Sequence, residues 1–414
     1  MNVLLKLMLR RAFRHGSLTV VTGETRTFFG DGTGTEITIR FTSRRAQWAL
    51  LLDPELKLGE LYMQGRLVIE KGSVYDLLES GLANLRNEPY PLSSRILTRL
   101  RTLIRRLKQM NRGARSTRNV AHHYDLDAGL YELFLDADRQ YSCAYFEHPD
   151  RSLEEAQLAK KRHIAAKLAV EPGHKVLDIG CGWGGLALYL ADIAGAAVRG
   201  ITLSQEQYKI AQQRALDRRM QKRAEFRIED YRETAGRFDR IVSVGMFEHV
   251  GVGYFDTFFR HAARLLDDNG VMLLHTIGRT TGPGATNPWI AKYIFPGGYT
   301  PALDEIVSSI ERAKLMVTDV EVLRLHYAET LRAWRERFMA KRAQAEAIYD
   351  ARFVRMWEFY LAGSEASFRC GDNVVYQIQV SKQVDTLPIT RGYIAEREAR
   401  LLQRERASLR LAAE

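Results

Sequence analysis

The chain has 414 residues, of which 46% are hydrophobic and 27% charged, and its formal net charge is +11. This length allows a large buried core in two domains or one elaborated domain, and the composition excludes disordered and fibrous classes. Three scattered cysteines without CxxC or Cys/His spacing argue against a disulfide framework and against a zinc site, so we expect the reducing cytoplasm. No apolar run reaches the roughly 18 to 20 residues that a membrane-spanning helix requires.

The first predicted element is an amphipathic helix over residues 1–14. Lys6 interrupts its apolar stretch and no small-residue cleavage site follows, so we do not expect a signal peptide. Two interpretations stay open, a helix at a lipid interface and a helix docked on the rest of the protein. A helical projection places Leu5, Met8, Leu9, Ala12 and Phe13 on one face, and Lys6, Arg10 and Arg14 on the other.

A small α+β domain is predicted over residues 1–90, because β-like runs near 37–41 and 66–70 alternate with Gly-rich turns. A basic amphipathic connector helix is predicted over 91–120. Between Glu88 and Asp125 there is no acidic residue, whereas nine cations occur from Arg95 to Arg118. Such a helix is typical of a membrane-surface element, a nucleic-acid patch or a solvated linker, and its charge alone does not choose among them.

A doubly wound, Rossmann-like α/β domain is predicted over residues 121–390, where strands alternate with helices. Residues 279–301 are rich in Gly, Pro and aromatic residues, which indicates an insertion or lid. Residues 391–414 are predicted to form a charged surface helix. The predicted strands are Lys175–Ile179, Ala197–Ile201, Glu225–Ile228, Arg240–Val244, Val271–Ile277, Val317–Leu325 and Val374–Val380. The predicted helices are Gly184–Ala194, Ser204–Met220, Tyr254–Leu266 and, longest, Glu329–Ala362.

The strand at Lys175–Ile179 leads into a glycine-rich loop that ends near Gly185. Glycines let a ligand approach the backbone closely, and the helix that follows offers free N–H groups. The GxGxxG spacing also fits a dinucleotide. Asp178 argues against one, because a carboxylate there repels a pyrophosphate but suits an amino-acid ammonium group. The next strand also lacks the terminal acid that dinucleotide enzymes use on the adenine ribose. The loop therefore predicts S-adenosylmethionine; a tight turn without a ligand is the disfavoured alternative.

Polar residues after the later strands extend this prediction. Gln207, early in the following helix, is the candidate for the ribose hydroxyls. Glu229 and Asp230 follow the third strand, where a polar side chain can accept a hydrogen bond from the adenine amino group. These residues occur in order at strand ends, which is where ligands bind in open α/β sheets.

Four further segments place polar groups in apolar surroundings. Cys143 lies in an aromatic cluster, Glu248 just beyond a strand end, His275 inside a strand and Tyr360 on an aromatic helix. Taken singly, Cys143 and Tyr360 are better explained by packing, and Glu248 and His275 are compatible with either a structural or a catalytic role. Their occurrence in one chain favours catalysis.

Eight motifs together make the sequence recognisable. They span Tyr141 to Arg369, with weaker likeness to Val384, and read YSCAYF, VLDIGCGWGG, GITLSQEQ, EDYR, FDRIVSVGMFEHVG, LLHTIG, NPWIAKYIFPGG and FYLAGSEASFR. On these motifs the sequence resembles the bacterial cyclopropane fatty acyl phospholipid synthases and their mycolic acid-modifying relatives. The run 53–78 also resembles the N-terminal domain of members that act on intact phospholipid, a domain that the mycolic-type relatives lack.

The resemblance implies transfer of the sulfonium methyl to a cis double bond of an acyl chain in a membrane phospholipid. The resulting carbocation then loses a proton to bound bicarbonate and closes to a cyclopropane ring. The bicarbonate cradle carried over comprises Cys143, Glu248, His275, Tyr360 and the backbone of Ile277. The cofactor contacts carried over are Tyr141, Ser142, Val176, Asp178, Gly180, Cys181, Gly182, Trp183, Gly184, Thr202, Leu203, Ser204, Gln207, Glu229 and Asp230.

One position departs from the resemblance. Ser364-Glu365 stands where several members have Cys-Ala, so Glu365 either faces solvent or signals an altered acceptor or product. With a lipid substrate, the basic segment Arg95–Arg118, aided by residues 1–14, is expected to dock on an anionic membrane surface. No nucleic-acid partner is expected, and the sequence leaves a homodimer open.

Three alternatives stay open. The cation could lose a different proton, which would leave a methyl-branched or unsaturated chain. A nucleic-acid methyltransferase would also be basic, but the Asn/Asp-Pro-Pro-aromatic motif of base-amino enzymes is replaced here by Val244-Gly-Met-Phe. A non-catalytic lipid-binding protein is disfavoured because every presumed catalytic position is filled.

Overall fold

The computed structural model describes residues 1–85, 101–102 and 128–413. The chain divides into two compact units, each built from discontinuous segments. The first comprises Met1–Arg105, Gly284–Pro296 and Tyr327–Asn373, and the second Arg106–Pro283, Gly297–His326 and Val374–Glu414. The predicted connector helix over 91–120, apart from residues 101–102, lies outside the described residues.

The N-terminal part of the first unit is a four-stranded sheet with helices. Strand β1 pairs antiparallel with β2 and parallel with β3, and β3 pairs antiparallel with β4. The helix predicted at the N-terminus and the strands predicted near 37–41 and 66–70 are confirmed. The elements are α1 (Val3–Ala12), β1 (Ser17–Thr22), β2 (Thr25–Gly30), β3 (Glu36–Phe41), α2 (Arg44–Leu52), α3 (Pro54–Met63), β4 (Leu67–Lys71) and α4 (Val74–Leu85).

The remaining elements follow along the chain. They are α5 (Ala128–Glu132), α6 (Leu153–Lys167), β5 (Lys175–Ile179), α7 (Gly185–Asp192), β6 (Ala197–Thr202), α8 (Gln205–Asp217), β7 (Ala224–Ile228), β8 (Phe238–Val244), α9 (Phe255–Leu265), β9 (Leu266–Arg279), α10 (Pro288–Tyr293), α11 (Leu303–Arg312), β10 (Met316–Leu323), α12 (His326–Ala340), α13 (Arg342–Ile348), α14 (Ala351–Cys370), β11 (Asn373–Ser381) and α15 (Gly392–Ala413). Two short 3-10 helices, Phe247–His249 and Val252–Tyr254, follow β8.

A seven-stranded sheet organises the second unit, in the order β10-β11-β9-β8-β5-β6-β7. The pairs β9–β8, β8–β5, β5–β6 and β6–β7 are parallel, whereas β10 and β11 are antiparallel. The predicted doubly wound α/β class is therefore confirmed, with an antiparallel pair at one edge. All seven predicted strands are present, and β9 is longer than predicted.

Alternating residues of the central strands enter two separate hydrophobic layers. In β5, Val176 packs into the cluster that contains α6, α7 and α8, while Leu177 packs into the one that contains α9 and α11. Leu273 and Leu274 of β9 divide in the same way. This period of two is expected for a strand buried on both faces, and it produces a helix–sheet–helix sandwich.

The long helix predicted over Glu329–Ala362 is wrong, because this part of the chain forms three helices, α12, α13 and α14. Asp350 has extended backbone (φ −150°, ψ 169°), and its side chain accepts a hydrogen bond from Phe353 N at 2.6 Å. An aspartate N-cap satisfies an otherwise unpaired N–H of the helix that it starts. The chain therefore begins a new helix at Ala351 rather than continuing the old one.

The predicted C-terminal helix is confirmed as α15, and it contacts the domain core. Glu405 accepts hydrogen bonds from Arg162 Nη1 at 2.5 Å and from Tyr189 Oη at 2.6 Å, and all three side chains are buried. Among the helices of the described residues, none combines the length and the apolar composition needed to cross a membrane.

Candidate active site

A cavity opens at the carboxyl ends of β5, β6 and β8 in the second unit. Parallel strands end at the same sheet edge there, which is where ligands bind in this class. Twelve of the fifteen predicted cofactor residues line it: Tyr141, Ser142, Asp178, Gly180, Cys181, Gly182, Trp183, Thr202, Leu203, Gln207, Glu229 and Asp230. The other three, Val176, Gly184 and Ser204, lie in the core of β5 and at the starts of α7 and α8.

The loop between β5 and α7 requires glycine at specific positions. Gly180 and Gly184 have φ values of +84° and +81°, a region that side chains with a Cβ rarely adopt. At Gly185, a Cβ would force the ends of the Gln140 and Asp138 side chains to move. The glycines thus bring the backbone of the loop to the wall of the cavity.

Asp178 is the buried carboxylate of this wall. Its Oδ2 atom has no hydrogen-bond partner among the described residues, and burial raises the pKa of Asp178 to about 7. A buried carboxylate without a partner costs free energy that a cationic ligand group would offset. An ammonium group at this position fits that requirement.

Lys160 lies behind this wall, fully buried on α6. Its ammonium donates hydrogen bonds to Gln140 Oε1 at 2.7 Å and to Ser142 Oγ at 2.8 Å. Burial lowers the pKa of Lys160 to about 8, and its charge in turn lowers the pKa of Asp178. Lys160 therefore both holds the 140–142 segment and favours the ionised form of Asp178.

Thr202 and Gln207 meet across the turn between β6 and α8. Thr202 Oγ1 donates to Gln207 Oε1 at 2.8 Å, and both residues are buried against the cavity. Ser204 caps α8 by accepting from Gln207 N at 3.3 Å, which explains why Ser204 supports the site without lining it. The amide nitrogen of Gln207 is the group that this arrangement presents to a hydroxyl ligand.

The carboxylate of Asp230 is occupied by a neighbouring arginine. Arg232 donates from Nε at 2.8 Å and from Nη2 at 2.5 Å. Burial alone would raise the pKa of Asp230, but the hydrogen bonds and charge of Arg232 hold it below its ordinary value. Asp230 is thus an anion of fixed orientation in the cavity wall, able to accept a further hydrogen bond.

Glu248, which is half-buried, and His275, which is buried, are two polar side chains close to the sheet edge. Glu248 Oε1 accepts from Ile277 N at 2.6 Å, so this backbone N–H holds the carboxyl group in place. Burial raises the pKa of Glu248 to about 7. Its Oε2 atom lacks a hydrogen-bond partner within the part of the chain that the structure describes.

His275 is kept neutral by its surroundings. Burial lowers the pKa of His275 to about 3, and the nearby cations Lys160 and Lys167 lower it further. Its Nδ1 atom lies 3.2 Å from Gln377 Nε2, whereas Nε2 has no partner among the residues described. A neutral ring that accepts at Nδ1 carries its proton at Nε2, which leaves one N–H donor for a ligand.

The other two predicted catalytic residues have different surroundings. Cys143 is buried in the second unit, with its Sγ atom 3.2 Å from Ala144 O. Tyr360 belongs to the first unit, where its ring contacts those of Phe295 and Trp357 at centroid distances of 5.9 and 5.2 Å. The structure therefore brings Glu248 and Ile277 into direct contact, and the placement of Tyr360 in the same cradle stays a prediction.

Comparison with known proteins decides the family. The model of the family described as mycolic acid cyclopropane synthetase matches residues 111–378. Cyclopropane-fatty-acyl-phospholipid synthase of Escherichia coli is 39% identical over 340 residues, which cover 81% of this chain and 85% of that protein. The chain belongs to the mycolic acid cyclopropane synthetase family.

A further sequence relative and a solved structure are also similar to this chain. A probable fatty acid methyltransferase of Pseudomonas putida is 41% identical over 271 residues, covering 64% of this chain and 68% of that protein. The solved structure of the mycolic acid cyclopropane synthase CmaA1 with SAH and CTAB is 36% identical, with a TM-score of 0.61, and covers 64% of this chain and 97% of that one. The cyclopropane synthetase family member described here is an S-adenosylmethionine-dependent methyltransferase.

Glu365 stands at the position that differs from several family members. It neither faces solvent nor lines the cofactor cavity. It is 1% exposed and accepts from Arg335 Nε at 2.8 Å and from Arg369 Nη2 at 3.3 Å. The charge is therefore part of an ion-pair network between α12 and α14. This pairing gives Glu365 a structural role.

Several residues in or behind the cavity wall were not predicted from the sequence. Lys160 stands in a run of cations on α6 that a solvated helix face would explain equally well, and only its burial reveals its role. Arg232 and Tyr254 line the cavity, but arginine and tyrosine at such positions are common on surfaces. His249, which with Glu248 follows a strand end in the sequence but for which no role was predicted, also lines the cavity, and burial lowers its pKa to about 4.

Proposed function

We propose that the enzyme transfers the methyl group of S-adenosylmethionine to the cis double bond of unsaturated acyl chains in membrane phospholipids and closes a cyclopropane ring. One observation supports a phospholipid as the substrate. The match to the E. coli phospholipid enzyme covers 81% of this chain, whereas the mycolic acid enzyme of known structure covers 64%. The additional shared sequence supports a substrate like that of the E. coli enzyme.

The cofactor supplies the methyl group, as an electrophile on a sulfonium centre, and the cavity residues orient it. Asp178 is the anionic partner for the ammonium group of its amino-acid part. Gln207 donates a hydrogen bond to the ribose hydroxyls, and Glu229 and Asp230 accept hydrogen bonds from the adenine amino group. These roles follow the chemistry of the side chains, since carboxylate oxygens accept and the amide nitrogen donates.

An alkene is a poor nucleophile, so the enzyme must align it with the methyl group and exclude water. The rings of Tyr141, Trp183, Tyr231 and Tyr254 line the cavity and form its aromatic wall. Aromatic faces attract cations, which favours both the sulfonium and a carbocation that develops beside it. The wall thus contributes electrostatic stabilisation of the cation.

Bicarbonate is proposed as the acceptor of the proton that ring closure releases. The side chains fit a small anion that carries one hydroxyl group. His275 Nε2–H is a donor, and Glu248 Oε2 can accept; both atoms are buried without partners in the described residues. Because Ile277 N already donates to Glu248, we assign Ile277 the role of holding Glu248 rather than that of a ligand.

Docking on anionic phospholipid as a peripheral protein is part of the proposal. Each Lys or Arg near such a surface contributes about 1 kcal/mol. Most of the segment Arg95–Arg118 lies outside the described residues. Its Arg101 forms ion pairs with Asp53 and Glu55, so this arginine stabilises the first unit instead of contacting lipid headgroups.

Transfer of a labelled methyl group tests the proposal directly. The enzyme is incubated with methyl-labelled S-adenosylmethionine and vesicles of cis-unsaturated phospholipid, with saturated phospholipid and nucleic acid as parallel acceptors. We expect label only in the unsaturated lipid. Label in nucleic acid but not in lipid would refute the proposed substrate.

A second candidate is a methyl-branched or unsaturated product on the same substrate. The observation that favours it is the P. putida relative, named a probable fatty acid methyltransferase, which is 41% identical. Product choice depends on which proton is lost from the cation, a matter of placing the base within fractions of an ångström. The product must therefore be measured.

A further inference from the structure

We propose that the outer faces of α1 and α2 form a docking surface that inserts into the interface of an anionic phospholipid bilayer. This inference rests on the proposed function, since it names the surface through which the enzyme reaches its lipid. Both helices belong to the first compact unit. The occupant is a bilayer with anionic headgroups.

Helix α1 exposes apolar side chains on the face opposite its buried one. Leu5, Leu9 and Phe13 are buried, so the helix is docked on the protein as one of the two sequence interpretations proposed. The outer face nevertheless carries Val3, Leu4 and Leu7, which are 72%, 53% and 51% exposed. One turn further on, Arg10 and Arg11 are exposed on the same side.

Helix α2 repeats this arrangement. Ala46, Gln47 and Leu50 are buried, whereas Trp48 and Leu52 are 50% and 71% exposed. Arg44 and Arg45, both exposed, precede Trp48 by one turn, so cations and apolar side chains share the outer face. Tryptophan is enriched at membrane interfaces because its ring is amphipathic.

The two faces are neighbours. The backbone N–H of Asn2, at the start of α1, donates to Gln47 Oε1 at 2.9 Å, and Gln47 directly precedes Trp48. The exposed start of α1 is thereby fixed to the turn of α2 that carries Trp48. The resulting docking surface comprises Val3, Leu4, Leu7, Trp48 and Leu52, with Arg10, Arg11, Arg44 and Arg45.

Charge selects a bilayer over a second copy of the chain. Neither α1 nor α2 contains an acidic residue. A two-fold contact through this surface would place one cluster of arginines against another without compensating carboxylates, because such contacts must be self-complementary. Anionic headgroups match the arginines, and the acyl boundary accepts the apolar side chains.

Trp48 provides a specific probe of insertion. The five tryptophans of the chain all lie in described residues, and Trp183, Trp289, Trp334 and Trp357 are buried. Phosphatidylglycerol vesicles with brominated acyl chains are added to the full-length protein. We expect quenching of tryptophan fluorescence by these vesicles, little quenching by brominated phosphatidylcholine, and loss of the quenching in W48F, which keeps an aromatic side chain.

Vesicle pelleting tests the apolar contribution separately. We expect the partition coefficient on phosphatidylglycerol vesicles to fall at least about tenfold in L4E/L7E/L52E. The matched control is V384E/I389E, which changes two exposed apolar residues of the second unit and should bind like the wild type. Unchanged far-UV circular dichroism and an unchanged thermal unfolding midpoint in both variants show that they are folded.

Three outcomes would overturn the docking surface. In the first, brominated phosphatidylglycerol vesicles do not quench the fluorescence of Trp48. In the second, L4E/L7E/L52E and the wild type pellet equally with vesicles. In the third, the lipid-free protein is a dimer that the same substitutions convert to monomers. Failure of the proposed function has a different signature. The wild type would then insert Trp48 into vesicles yet transfer no labelled methyl group to their acyl chains.

Discussion

Asp178, Glu248 and Lys160, three ionisable side chains of the second unit, have pKa values displaced toward neutrality. Burial raises the pKa of Asp178 and of Glu248 to about 7, and it lowers that of Lys160 to about 8. Each displacement reflects the cost of holding a charge away from water. Protonation of these groups is therefore sensitive to whatever ligand lies beside them, as is common at functional sites.

Cofactor affinity is predicted to fall as the pH drops below 7. The ammonium group of the cofactor needs the ionised form of Asp178, and below its pKa the protein must first release a proton. Affinity should then decrease by about tenfold for each pH unit. Isothermal titration calorimetry from pH 5 to 8 measures this, and D178N should bind weakly with little dependence on pH in that range. A flat profile in the wild type would contradict the role given to Asp178.

The variant K160M tests the assignment of Lys160 as a positioning residue. Removing this cation raises the pKa of Asp178, because Lys160 favours the carboxylate. The pH at which cofactor affinity declines should therefore shift upward, in addition to any overall weakening from the loss of its bonds to Gln140 and Ser142. K160R retains the charge and should shift the profile less. A uniform loss of affinity without a shift would indicate a purely structural role.

Substitution of Glu248 by Gln separates catalysis from cofactor binding. The amide oxygen can still accept from Ile277 N, so the local structure should persist. The carboxylate proposed to face the proton acceptor is lost, and methyl transfer should fall by at least about a hundredfold, the lower end for a positioned acid–base group. Cofactor affinity should stay within a few fold. Loss of both would show that Glu248 belongs to the cofactor site.

At the scale of elements, the ion pair between α12 and α14 should contribute measurably to stability. Glu365 is almost fully buried, so E365Q removes the charged partner of Arg335 and leaves Arg369 paired only with Glu329. Loss of one partner of a buried pair costs roughly 3 kcal/mol of unfolding free energy. The exposed pair Arg312–Asp256 is the control, and D256N should cost less than about 1 kcal/mol. Urea denaturation compares the two, and equal effects would contradict the structural role of Glu365.

The strands were predictable because burial on both faces produces short apolar runs that local sequence shows directly. The bounds of β5 agree with the prediction at both ends. The prediction joined the helices after Tyr327 into one long helix, because residues around 341–350 have the composition of a helix. Its interruption depends on Asp350, whose N-cap geometry outweighs propensity over a single turn.

The cofactor site was largely predictable because its residues lie within short motifs at strand ends, where the topology of the sheet gathers them. Lys160 was not predictable, because it lies 20 residues before Gly180, the first glycine of the loop, on a helix whose other cations form ion pairs. Whether a lysine is buried depends on tertiary packing. The electrostatic control of Asp178 therefore emerged only from the structure.

For the whole molecule, the two compact units carry different parts of the proposed reaction. The second contains the cofactor cavity with Asp178, and also Glu248 and His275. The first contains Tyr360 and the proposed docking surface on α1 and α2. Cofactor binding and membrane docking are thus assigned to separate units, and substitutions in one should leave the other property intact.

The central claim is that the transferred methyl group ends as the methylene of a cyclopropane ring. It is tested with S-adenosylmethionine that carries a CD3 group and with cis-unsaturated phospholipid vesicles, followed by mass spectrometry and deuterium NMR of the product. Ring closure removes one deuteron from the new methyl group. We predict a product that retains two deuterons, both on a cyclopropane carbon. Retention of three deuterons, or of two on a vinylic carbon, would contradict the account.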